Sequence, residues 1–150
     1  MPQSLSNILV HLIFSTKHRE PLLSKSIGAQ THAYMAAMIR DMGCECYRAG
    51  GVEDHVHFAI RLSRVLPISE LLVKLKTGSS RWLKTQNGVV PDFAWQKGYG
   101  VFSAGYRDLD KMLLYIDGQE EHHRKTTFQD EYRALLIENG VEWDERYVWD

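Results

Sequence analysis

Two histidines separated by one residue are the first candidates for chemistry in this chain. In His55-Val56-His57, an extended backbone turns both imidazoles to one face, about 6.6 Å apart along the strand. Two nitrogen donors then flank one side of a cation, with room for a third ligand from another element. Val56 points the other way, toward a core. Histidines that simply sit on a surface strand are the competing reading.

A second set is Tyr115, Gln119 and His122. Steps of four and three residues put them on one stripe of a helix. The neighbouring stripe, Leu109, Met112, Leu113 and Ile116, is apolar. Tyr115 therefore sits at the margin of a core face, where a half-buried ring with a wet hydroxyl is the simplest arrangement. His123 lies further round, toward the expected surface.

The third set is basic: Lys74, Lys76, Arg81 and Lys84, with Thr77, Ser79, Ser80 and Trp82. Cations, hydroxyls and an indole suit phosphate contacts and base stacking. Lys17, His18 and Arg19 would extend the patch; a merely solvated helix face is the alternative. Taken together, the three sets describe one site class. A metal on two histidines polarises a phosphate oxygen, a tyrosine hydroxyl attacks phosphorus, and a basic surface holds the strand. Phenolate is a better leaving group than an alkoxide. A phosphotyrosine link would stay reactive, which suits reversible strand transfer better than hydrolysis.

The elements that must position these groups follow from pattern. Residues 8–14 form an apolar strand, ended by a polar loop and Pro21. Residues 24–42 read as a helix with Ser24 or Ser26 as cap and Gly43 as stop. Residues 44–49 and 53–62 are strands around Gly50-Gly51, a hairpin signal. Residues 67–84 form an amphipathic helix, 86–95 a loop with Asn87-Gly88 and Pro91, and 98–106 a fourth strand. Helices over 107–124 and 127–139 precede Gly140 and an aromatic, acidic tail at about 141–150. The order strand, helix, strand, strand, helix, strand is the ferredoxin-like β-α-β-β-α-β arrangement, an α+β fold with an antiparallel sheet and C-terminal helices carrying the tyrosine. With 150 residues, one domain over 1–150 is expected.

Composition is that of a globular chain, 44% apolar and 25% charged, which argues against disorder, collagen or coiled coil. The net charge of −1 hides an asymmetry. Residues 130–150 hold seven acids and two bases, and residues 1–129 hold 16 bases and 12 acids. The basic body keeps an anionic partner in play. Cys44 and Cys46 are too close for an ordinary bridge and read as reduced packing thiols of a cytoplasmic protein. The N-terminal residues lack a signal-peptide pattern, and no run has the length of a membrane helix.

Asp54-His55-Val56-His57-Phe58 resembles the His-hydrophobic-His (HUH) motif of single-strand DNA nucleases. The segments 95–103 and 115–123, with the opening His11-Leu12-Ile13-Phe14-Ser15-Thr16-Lys17-His18-Arg19, resemble the HUH single-tyrosine transposases of the smallest bacterial insertion sequences. Their REP-associated relatives share these motifs. The resemblance covers about residues 5–140. It implies a homodimer, and attack by Tyr115 on single-stranded DNA with a 5′-phosphotyrosine and a free 3′-hydroxyl as products. It implies Mg²⁺ or Mn²⁺ on His55, His57 and Gln119, with Asp54 and His122 behind them, and DNA hairpins as partners of Lys17, Arg19, Lys74, Lys76, Arg81, Trp82 and Lys84. On softness grounds two imidazoles favour Mn²⁺. A non-catalytic DNA-binding module of the same fold needs the basic helix but neither Tyr115 nor His55. A two-histidine phosphoesterase wants its histidines on separate strands, unlike His55 and His57.

Overall fold

The computed structural model describes residues 2–89 and 91–150. Met1 and Val90, the latter inside the expected 86–95 loop, lie outside the described residues. The core elements are β1 (Leu9–Ser15), α1 (Lys25–Asp41), β2 (Glu45–Val52), β3 (His55–Arg61), α2 (Ile68–Leu83) and β4 (Gly100–Ala104). Three further helices follow: α3 (Leu109–Asp117), α4 (Gln119–His122) and α5 (Phe128–Glu138). The strands pair in the order β2-β3-β1-β4, each pair antiparallel. This is the ferredoxin-like arrangement that the element order predicts. Among the described residues no helix is long and apolar enough to cross a membrane.

Alternation along β1 and β3 divides the molecule into two faces. Val10, Leu12, Phe14, Val56, Phe58 and Ile60 pack with Met35 and Ile39 of α1 and Leu71 and Leu75 of α2. On the other face, Ile13 and Phe102 pack with Phe128, Tyr132 and Leu136 of α5. That face also carries His11, His55 and His57, all buried. The polar groups therefore lie beneath the C-terminal helices and not at the surface.

Two local features differ from expectation, each for a physical reason. Gly50 and Gly51 do not form the hairpin turn. They are ladder residues of β2, opposite His57 and Val56, and the turn falls at Glu53-Asp54. A Cβ on Gly50 would lie 2.8 Å from Ile116 Cγ2 and 3.2 Å from the Ile116 carbonyl. The glycine thus lets α3 seat directly on the sheet. The expected helix over 107–124 is interrupted at Gly118, whose backbone (φ −87°, ψ 11°) separates α3 from α4.

The acidic tail packs on the domain. Trp149 lies between the Arg19 and Arg133 guanidiniums, 5.6 and 5.0 Å from its ring centre. Glu145 pairs with Arg133 at 2.7 Å, and the Asp150 carbonyl accepts from the Gly98 amide at 2.8 Å.

The seat of α3 gives a direct test. Gly50→Ala is expected to lower stability by about 1–3 kcal/mol through overpacking, read by thermal or denaturant melting. An unchanged midpoint would show that Ile116 yields to the added methyl.

Candidate active site

β3 brings His55 and His57 to one face, both with no solvent exposure. The turn before it places Asp54 Oδ1 2.6 Å from His55 Nδ1. β1 contributes His11, whose Nε2 lies 2.7 Å from His57 Nδ1. α3 carries Tyr115 over the same face, its ring centre 5.7 Å from those of His11 and His57. α4 follows with Gln119 (1% exposed), whose Oε1 is 3.1 Å from His55 Nε2.

The centre of the arrangement is Glu131, 3% exposed. Thr127 Oγ1 accepts from the Asp130 amide and so caps α5, which sets Glu131 one turn inside the helix. Its Oε1 lies 3.3 Å from His55 Nε2, 3.3 Å from His57 Nε2 and 3.0 Å from His123 Nε2. Its Oε2 accepts from the Tyr115 hydroxyl and, at 3.1 Å, from Gln119 Nε2. His122 Nε2 is 3.4 Å from the same oxygen. His123, expected at the surface, instead turns inward and anchors its Nδ1 on the Thr126 carbonyl at 2.7 Å.

Electrostatics follow from this packing. Burial opposes ionisation of Glu131, but the hydrogen-bonded His123 and the facing imidazoles of His55 and His57 hold its carboxyl far below the usual range. Burial works against charge on His55, yet Asp54 and Glu131 lift it to about 9. Burial carries His57 down to about 4 despite Glu131. Burial and then His57 bring His11 to about 3. Burial and the adjacent Glu131 charge raise the Tyr115 phenol.

These residues fit a metal ion. Nitrogens of His55, His57 and His123 and an oxygen of Glu131 all lie within 4.8 Å of one another. His57 Nε2 is buried with no hydrogen-bond partner among the described residues, which suits a metal-ligating nitrogen. Three imidazoles and a carboxylate suit Mn²⁺ better than Mg²⁺, which prefers oxygen. The expected ligand Gln119 lies beside this set.

The site opens on two sides. A cavity of about 310 Å³ borders His11, Ser103, Lys111 and Tyr115. Another, about 710 Å³, borders Asp54, His123, Arg124 and Lys125.

The basic residues of α2 lie elsewhere, since α2 packs on the opposite sheet face. Lys74 pairs with Glu70 at 2.9 Å. Lys76 donates to the carbonyls of Gln96, Lys97 and Gly98 at 2.6–3.1 Å, holding the loop before β4. Trp82 stacks on Tyr34, with ring centres 4.4 Å apart. Arg19 covers Trp149. Arg81 and Lys84 are exposed and line a cavity of about 610 Å³ with Thr77, Ser80 and Lys97. Lys17 is exposed at the end of β1.

The fold has counterparts among solved structures. No curated protein matches the chain. A structure assigned as a transposase from Deinococcus radiodurans R1 is similar at TM-score 0.59 and 21% identity, over 79% of this chain and 98% of that one. A REP-associated tyrosine transposase bound to a REP hairpin is similar at TM-score 0.58 and 14% identity, over 82% of this chain and 72% of that one. At these identities the likeness is one of fold. The family model for IS200-like transposases matches residues 4–119, which take in β1, the His55–His57 strand, Tyr115 and Gln119. The chain belongs to the IS200-like transposase family.

Proposed function

We propose that this transposase cleaves and rejoins single-stranded DNA through a 5′-phosphotyrosine on Tyr115, with a divalent metal, Mn²⁺ or Mg²⁺, held by His55, His57 and Glu131. Gln119 and His123 complete the ligand shell, and Asp54 and His122 support it. One observation carries the reading: the Tyr115 hydroxyl donates to the same carboxylate that gathers the Nε2 atoms of His55 and His57. Nucleophile and metal donors thus converge on one point.

A cation bound there supplies charge neutralisation for the phosphate oxygens. Tyr115 attacks phosphorus, an O–P bond forms, and the bond to the 3′ oxygen breaks. The tyrosine hydroxyl points at Glu131 Oε2, and its proton leaves as the O–P bond forms. The departing 3′ oxygen takes up one proton and leaves as a 3′-hydroxyl, so the exchange balances. Attack by another 3′-hydroxyl reverses the step and returns the proton to Tyr115, so bond energy is conserved.

Hairpin DNA is the ligand in this reading, supported by the hairpin held by the structural neighbour and by the exposed Lys17, Arg81 and Lys84. A homodimer follows from the resemblance, and every group of the site described above comes from one chain. Cys44 and Cys46 are free thiols, in keeping with a cytoplasmic setting.

Four outcomes test the proposal. Tyr115→Phe is expected to give no covalent adduct with a labelled single-stranded hairpin oligonucleotide on a denaturing gel, while binding persists; adduct formation by that variant would sink the nucleophile. A non-catalytic module would give no adduct with the parent chain either. His57→Ala should lose cleavage, and Glu131→Gln should weaken Mn²⁺ binding by at least about tenfold, taking the effect of outer-shell changes as a floor; isothermal titration measures it, and parental affinity in Glu131→Gln excludes that ligand. Arg81→Ala and Lys84→Ala should each make hairpin binding less sensitive to salt, the logarithmic slope falling by about 0.9 for every phosphate no longer neutralised. Unaltered slopes would move the DNA surface off α2.

A further inference from the structure

Three histidines turn Nε2 toward Glu131 Oε1, and each has its Nδ1 held from behind. Asp54 holds that of His55, and the Thr126 carbonyl holds that of His123. The third, His57, has neither carboxylate nor carbonyl at Nδ1. It has another imidazole, His11, at 2.7 Å.

The sheet register explains how His11 gets there. His11 lies opposite Ala59, and His57 lies opposite Ile13, so the two histidines are diagonal neighbours on one face. The small Ala59 side chain leaves room for the His11 ring to lean across. The rings lie nearly parallel, 21° apart with centres at 5.0 Å. His11 is 7% exposed and lines the cavity that reaches Tyr115.

A cation needs a lone pair on His57 Nε2. The ring proton must then be on Nδ1, where it can only be donated to His11 Nε2. We propose that His11 is a positioning residue of the metal centre, fixing the tautomer and rotation of His57 so that Nε2 faces the cation. Outer-shell partners of metal-bound histidines act in this way. A neutral imidazole also differs from the carboxylate behind His55, because it orients the ring without adding negative charge. The inference rests on the metal-dependent reading of the site.

The test is Mn²⁺ binding to the full chain without DNA, followed by isothermal titration and by the loss of the free Mn²⁺ resonance signal. His11→Phe, which removes the acceptor, is expected to weaken binding by about 10–100-fold. His11→Gln, whose carbonyl can accept from His57 Nδ1, should restore most of it. In a His57→Ala background His11→Phe should add no further loss, which a merely structural role would not reproduce. If His11→Phe fails to fold by thermal melting, His11→Asn, too short to reach His57, should show the same weakening. Parental affinity in His11→Phe or His11→Asn overturns the role of His11 and leaves the metal site standing. Absence of Mn²⁺ binding by the parent chain overturns both.

Discussion

A carboxylate buried in a protein must be paired, because an isolated charge there is too costly to keep. Glu131 meets that requirement with groups drawn from β3, α3, α4 and the turn after it. The demand runs both ways. The carboxylate needs these donors, and the buried imidazoles need its charge. α5 therefore cannot dock on the sheet independently of α3 and α4. Neutralising one atom pair inside the cluster is expected to unsettle every element that contributes to it, since half-satisfied polar networks are worse than apolar packing.

The sheet separates this polar assembly from the apolar layer beneath it. Residues alternating along β3 belong to two regimes: Val56, Phe58 and Ile60 lock the strand against α1 and α2, while His55 and His57 face the helices above. Rigid hydrophobic packing on one side thus gives the imidazoles on the other their fixed spacing. The basic residues of α2 lie on the apolar side's outer layer. The α2 cations and the Glu131 cluster are consequently set on opposite faces of the same sheet.

Much of this is legible in the residues. Period-two alternation exposes the shared face of His55 and His57, and helical spacing exposes Tyr115 with Gln119. What escapes a reading of the residues does so for physical causes. Glu131 falls among the acids of residues 130–150, and a charge sum does not distinguish a buried carboxylate from a solvated one. Its signal is nevertheless present, since Phe128, Glu131, Tyr132 and Leu136 recur at helical spacing and all are buried. An uninterrupted helix over 107–124 would point His123 outward, whereas Gly118 breaks that helix. His11 sits in an apolar run, and its partner is 46 residues away. The glycines of β2 look like a turn because glycine usually punctuates the chain; here the missing side chain makes space for a helix.

That space has a consequence for how such sequences can diverge. The gap above Gly50 is filled by Ile116, next in the chain to Tyr115. Positions 50 and 116 therefore behave as a size-matched pair, where bulk gained at one is tolerated only as bulk is surrendered at the other. Substitutions at the two sites are non-additive, so drift at either is channelled through compensating steps. The alignment of Tyr115 is thereby inherited as a property of two neighbouring packing positions.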